Sequence, residues 1–561
     1  MKKLFKNIYQ WFKQKDRIIY LEYSALSLLV ILPLLRPGYI LLLDLVFTPK
    51  IPMPTQINNS FPLNAFLHYL NLFLPSQIIE KLLLFLILAL AGIGIHKLID
   101  KIGVKNEWAK YFAGILFIFN PFVYSRFMTG QIFIILAYAL IPFFVRSILN
   151  FFDQPDLRTS LRVSFWTLLI SIISIHSIFF MAMIAIIFGV GKLITKIRDK
   201  KWIVNFIKFG LVSIVITLAL SFYWFMPYVS GKTKASQIAD NFDIRHVIVF
   251  QTSADKNLGV LYNTAGMYGF WAEEGGRYLL AKDILPYWPV LFGVILLIVF
   301  WGIFVGYKKH RYLTISFTVV GFFAFVFAVG SAYPGFEKIY WLMLNHVPLF
   351  NGYREPQKFV TLLILSYAVL GALGVEDLLN RGGESRRMPE GFKMILPALF
   401  IIIPVLYSPV MLWGFGGQIK PVDYPKDWYQ INQILNNDKE EFKVLFLPWH
   451  EYIGFRFADR TIANPAPNFF EKPTTAGDNP EFGTVYSQTN NPTSDTIREH
   501  IVSGKSPEEI AGVLTSLDFK YILLAKEADW EKYNFFDKTN KLLLVEDAEN
   551  IKLYRNLEYK K

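Results

Sequence analysis

Pro37-Gly38-Tyr39-Ile40-Leu41-Leu42-Leu43-Asp44-Leu45-Val46-Phe47-Thr48-Pro49 closes a long apolar run, presents one carboxylate, and breaks into a loop carrying Pro49, Pro52 and Pro54. No other acid occurs between Leu45 and Ile79. Prolines do not continue a helix, so the stretch reads as the end of a membrane helix and the start of an outer loop. Asp44 is then either an ordinary boundary charge or the group the fold is built to hold.

Composition places the stretch in a membrane protein. Hydrophobic residues make up 53% of the 561 and charged residues 18%, less charge than a soluble domain carries. Apolar segments long enough to cross a bilayer recur near 19–43, 77–96, 109–128, 131–150, 163–176, 177–196, 203–226, 286–306, 312–331, 357–378 and 394–413, about eleven in all. The fold class is therefore a polytopic α-helical membrane protein, and the lipid bilayer is its first partner. The net charge of +13 does not require nucleic acid, because Lys and Arg accumulate in cytoplasmic loops. No nucleic-acid partner is expected. Cysteine is absent, which excludes disulfides and thiol chemistry.

Lys and Arg also orient the spans. The basic amino terminus (Lys2, Lys3, Lys6, Lys13, Lys15, Arg17) leads into an uncleaved first helix. Basic loops follow at 97–110, 146–162, 192–201, 308–311 and 381–393. Their alternation predicts a cytoplasmic amino terminus and an extracytoplasmic carboxyl terminus in the plasma membrane. The segments 163–176 and 177–196 read as two helices joined at Ser174–Ser177, because one helix of that length is too long for a single crossing.

Residues 1–413 thus form a membrane domain with outer loops 44–76, 227–285 and 332–356. The first loop contains an amphipathic piece, Leu63–Leu74, between Pro62 and Pro75, suited to lying on the membrane surface. Residues 414–561 are soluble in composition and read as an extracytoplasmic α/β domain. Its strands are expected at Val444–Leu447, Tyr521–Leu524, Leu542–Val545 and Ile551–Tyr554. A helix start is expected at Ser506-Pro507, with Ser capping and Pro in the first helical position.

Polar residues collect at the outer ends of the helices. They are Asp44, Arg126 and Gln131 in the turn Asn120–Gln131, His176, and Arg354, Glu355 and Lys358 before the tenth span. His68 in the first loop, with Tyr268 and Trp271 in the 227–285 loop, completes the candidate cavity set. At one membrane depth these residues would ring a common cavity. Arg offers a fork and Lys a point charge to a phosphate, and a carboxylate can take a proton from an attacking hydroxyl. Read singly, each has a plain role as a boundary charge, headgroup contact or packed histidine, so the functional reading rests on their coincidence. No metal site or other cofactor is expected, since the first loop has one acid and divalent cations usually take more than one carboxylate. Glu273-Glu274 with Asp240 and Asp243 would supply a metal site only if their loop folds over the cavity.

The chain here resembles the GT-C class of integral membrane glycosyltransferases, in particular YfhO-type and arabinofuranosyltransferase-like proteins. The resemblance runs through Gly38-Tyr39 to Asp44, the Asn120-Pro121 to Gly130-Gln131 turn, and Arg354-x-Pro356-x-Lys358-Phe359. It implies an enzyme that takes a sugar from a polyprenyl-phosphate donor, with Asp44 as catalytic base and Arg354, Lys358 and Arg126 on the donor phosphate. A glycan, lipid or protein of the cell envelope would be the acceptor. The alternative is a non-catalytic flippase or exporter of lipid-linked or polymeric glycan. Transporters tend to show mid-membrane charges and internal repeats, and neither stands out here.

Overall fold

The computed structural model describes residues 15–231, 244–347, 350–384, 389–479, 481–482, 485–486, 491–503 and 507–559. Lys2, Lys3, Lys6, Lys13, Asp240, Asp243 and the expected cap Ser506 lie outside them. The chain divides into two units. One comprises residues 1–33, 55–63 and 82–419, the other 34–54, 64–81 and 420–561.

The first unit is helical. Among the described residues, 8 helices are long and apolar enough to cross a membrane, or 9 with one bent pair. The remaining two of the expected spans are present in other forms. The segment 109–128 is two helices, Glu107–Ile118 and Pro121–Met128. Asn120 sits between them in extended backbone, accepts the Val123 N–H, and is followed by Pro at the first helical position. The segment 163–176 is the helix Leu157–Ile173, started by an Asp156–Thr159 capping box and separate from Ser177–Lys196. Near 394–413 the chain bends by 76° between Ile395–Tyr407 and Pro409–Gly416. The first span is shorter than expected. The helix Lys15–Ile31 passes into a tight turn at Leu32–Leu35, and Pro37 with Gly38 at φ +107° ends it. The apolar residues that follow are not membrane helix.

They belong to the second unit. Its five-stranded sheet is built from β1 at Lys443–Leu447, β2 at Thr474–Thr475, β3 at Phe519–Ala525, β4 at Leu542–Asp547 and β5 at Ile551–Asn556, in the order β2-β1-β3-β5-β4. β2, β1 and β3 run parallel, while β5 is antiparallel to both β3 and β4. The four expected strands are all present. Alternate side chains of β1 enter two cores, Val444 and Phe446 with Trp428 on one face, Leu445 and Leu447 with Ile510 and Leu514 on the other. Tyr39 and Leu41 pack into the Trp428 core. That is why 34–54 groups with the carboxyl-terminal residues instead of with the membrane helices. The piece at Leu63–Leu74 is the helix Phe61–Asn71, and Phe66, Tyr69, Leu72 and Phe73 around its end are exposed.

Within the first unit, helices Trp288–Lys309 and Val360–Glu384 approach through two glycines. A Cβ on Gly302 would collide with the Leu370 carbonyl, and one on Gly374 with that of Ile298. Small residues permit such close approach where burial gives helices no drive to associate. Gly302→Ala is therefore expected to lower the thermal midpoint of the detergent-solubilised protein. Gly293→Ala, on the same helix with open space around it, should leave the midpoint in place. Equal midpoints for the two variants would show that the close approach carries no stability.

Candidate functional site

The short helix Pro121–Met128 carries Arg126 on its last turn, with no exposed surface. Its Nη1 donates to Gln131 Oε1 and, at 2.6 Å, to Glu355 Oε2, and its Nη2 donates to Gln357 Oε1 at 3.0 Å. The guanidinium lies over the Phe270 ring, 3.8 Å from its centroid. Gly130 at φ +78° turns the chain so that the Gln131 N–H reaches the Arg126 carbonyl at 2.9 Å.

Pro356–Phe359 forms a tight helical turn leading into Val360–Glu384 and places Lys358 beside the same carboxylate, its Nζ 4.0 Å from Glu355 Oε2. That ammonium also lies 3.2 Å from His176 Nε2, which accepts only when the imidazole is neutral. The Tyr353 hydroxyl donates to the His176 carbonyl. Burial by itself pushes the Glu355 carboxyl up, but Lys358 and Arg126 outweigh it and hold the group down at about 2. Two cations thus share one buried carboxylate. Arg126 Nε and Gln357 Nε2 are buried donors with no hydrogen-bond partner among the described residues, an arrangement that favours an oxygen-rich anion.

Arg354 is half-buried, its guanidinium over Phe250 at 4.8 Å. Phe250 meets Trp271 edge-on at 5.4 Å. Tyr268 is packed in the core, edge-on to Trp288 and near Lys282. Glu273 is buried too, accepting from Ser125 Oγ at 3.2 Å and the Gly269 N–H at 2.9 Å, with Lys282 at 3.9 Å. Among the described residues, no three His, Asp or Glu side chains form a group able to hold a metal ion.

Asp44 belongs to the second unit, where backbone pairing fixes the chain before it. Tyr39 exchanges hydrogen bonds with Val422 (2.7 and 2.9 Å). The flanking Gly38 and Ile40 N–H groups donate to Gln77 Oε1 (2.9 Å) and Glu80 Oε2 (3.0 Å). The Leu43 carbonyl accepts the Ala463 N–H at 2.8 Å. Asp44 itself is exposed and accepts a hydrogen bond from the Tyr452 hydroxyl at 3.0 Å. His68 lies with Nδ1 2.6 Å from the Ile51 carbonyl and so helps shape the loop after Asp44.

The structure therefore brings Arg126, Gln131, Glu355, Lys358 and His176 into one cluster. It places Arg354 and Trp271 each against Phe250, and Asp44 and His68 in the second unit. Sequence reasoning missed Gln357, which occupies a variable place of the Arg354-x-Pro356-x-Lys358 pattern. It also missed Tyr452, for which local sequence carries no signal.

Many apolar helices with polar residues at their ends, followed by a sheet domain, make this a multi-pass membrane protein with a GT-C-like fold. The comparisons agree. The structure is similar to arabinofuranosyltransferase AftD from Mycobacteria, with a TM-score of 0.63 at 11% identity over 97% of this chain and 40% of that one. It is also similar to a mutant form of that enzyme, with a TM-score of 0.58 at 12% identity over 96% and 41%. The chain thus spans about two fifths of the length of those structures. Residues 61–250 match a family described as 6-pyruvoyl-tetrahydropterin synthase related domain; membrane protein. No curated protein matches the chain. At these identities the likeness shows the fold.

The cluster makes a stability prediction. Glu355→Ala leaves Arg126 and Lys358 as buried, uncompensated cations and should cost about 3–5 kcal/mol. Glu355→Gln keeps an acceptor oxygen and should cost less. Thermal unfolding of the three proteins in one detergent checks the order, and an unchanged midpoint in Glu355→Ala would mean that the ion pairs hold nothing together.

Proposed function

We propose that the chain is an inverting glycosyltransferase. It would move a sugar from a polyprenyl-phosphate donor to a cell-envelope glycan, lipid or protein acceptor at the outer face of the plasma membrane, with its amino terminus cytoplasmic and its sheet domain extracytoplasmic. The observation that carries the reading is the buried cation cluster. Arg126 and Lys358 share the single carboxylate of Glu355, Arg126 Nε and Gln357 Nε2 have no acceptor among the described residues, and the excess positive charge suits a phosphate. The fold shared with a protein named as an arabinofuranosyltransferase supports the same direction.

In this reading Asp44 takes the proton of the acceptor hydroxyl as its oxygen attacks the anomeric carbon. A bond forms from that oxygen to the anomeric carbon, and the bond from the anomeric carbon to the phosphate oxygen breaks. The electron pair leaves with the lipid phosphate. Arg354 and Lys358 meet the charge that develops there, the kind of fixed electrostatic stabilisation that contributes most to such steps. Arg126 holds Glu355 and Gln131 in place behind them. The positive charge comes from side chains, so the reading needs no cofactor. Tyr452 orients the Asp44 carboxylate through its hydroxyl.

Two substitutions test the roles. Asp44→Asn should abolish sugar transfer by protein reconstituted in liposomes with a radiolabelled prenyl-phosphate sugar, while binding of that donor persists. Donor movement across the bilayer without bond cleavage in the wild type would establish an exporter instead. Tyr452→Phe should lower kcat by about ten- to a hundredfold, as expected when a reacting group loses its alignment, with KM for the donor unchanged. A change confined to KM would remove the orienting role.

A further inference from the structure

A cavity of about 270 Å³ opens in the first unit beside Phe250, lined by Gln251, Thr252, Ser253, Trp271 and Glu274 among others. Its chemistry is specific. Its described lining residues include no Lys or Arg, and Arg277 lies over the ring of one of them, Trp271, at 5.4 Å. Hydroxyl and amide groups both donate and accept, and a carboxylate accepts only. Together they match a ligand whose own groups are hydroxyls. Thr252 already donates to the Ala328 carbonyl at 2.6 Å, which leaves its oxygen to accept. Trp271 contributes an aromatic surface, and such a wall with a few placed polar groups is how compact ligand sites are generally built.

Size narrows the ligand further. The cavity holds the equivalent of about nine water molecules at liquid density, room for one five- or six-carbon sugar ring. Position links it to the cations. Arg354 lies 4.8 Å from the Phe250 centroid, and Phe250 lies 5.4 Å from Trp271. Trp271 is thus linked through one ring, Phe250, to the guanidinium assigned to the donor phosphate.

We propose that this cavity receives a single sugar ring, either the one carried by the lipid phosphate or the terminal ring of the acceptor. The assignment rests on the glycosyltransferase reading above and adds to it the place and size of the bound sugar.

Saturation-transfer NMR on the full chain in lipid nanodiscs tests it. The probes are the methyl glycosides of arabinofuranose, galactofuranose, mannose and glucose. At least one is expected to show transfer to its ring protons, reduced by about five- to tenfold in Trp271→Ala and in Gln251→Ala. Gln251 is exposed, so its variant keeps the test valid if the tryptophan variant misfolds. Adding farnesyl-phosphoryl arabinofuranose separates the sources. Displacement of the glycoside assigns the cavity to the donor's sugar, and its retention assigns the cavity to the acceptor. No transfer to any glycoside, or wild-type transfer in both variants, overturns the inference. Binding of farnesyl phosphate alone, and its loss in Lys358→Ala, reports separately on the enzyme reading.

Discussion

A guanidinium with no access to solvent has to find its partners inside the protein, and Arg126 makes that demand on the first unit. Its partners come from three stretches of chain: Gln131 from the following turn, Glu355 and Gln357 from the start of a helix more than two hundred positions on, and Phe270 from the loop between. An unpaired charge in so dry a place would cost several kcal/mol. These segments therefore converge, and their convergence sets Lys358 beside Glu355 and brings Ser125 to Glu273. One buried charge thus accounts for the arrangement of the polar residues at the helix ends.

The second unit solves a different problem. A single extended segment leaves hydrogen-bonding groups open along both edges, and 38–40 satisfies each edge differently. Tyr39 pairs with backbone at Val422, while the alternate N–H groups of Gly38 and Ile40 reach Gln77 and Glu80, three residues apart on one helix face. The side chains of Tyr39 and Leu41 then enter the core of the sheet domain. Asp44 is consequently presented by the body that also holds Tyr452. In the proposed reaction the sheet domain contributes directly to the base, beyond any role in gathering the acceptor.

These two arrangements also show what was legible in the sequence. The strands and long helices were, because burial on both faces or in lipid leaves unbroken apolar runs. The cluster members Arg126, Gln131, His176, Glu355 and Lys358 stood out as polar groups at helix ends. The end of the first helix did not. Hydropathy continues through Ile40–Leu43 because those residues are buried in protein instead of lipid, and the two environments read alike. The break at Asn120-Pro121 was hidden in the same way, since Phe119 and Phe122 keep the run apolar across a cap. Tyr452 lies 408 positions from Asp44, and only the folded chain brings the two together.

The three basic residues read from sequence as phosphate contacts are not equivalent. Arg126 is wholly buried and committed to Glu355, Gln131 and Gln357, so moving it onto a ligand would break a network worth several kcal/mol. Lys358 is almost as buried, yet it stands 4.0 Å from its carboxylate partner, a loose contact that a phosphate oxygen can replace with a closer one. Arg354 is half-buried on an aromatic face, an interaction worth about 0.5–2 kcal/mol and the cheapest of the three to rearrange. In the proposed reaction a lipid phosphate would therefore be met first by Arg354, then by Lys358, and Arg126 would act from behind, fixing the carboxylate beside which Lys358 stands.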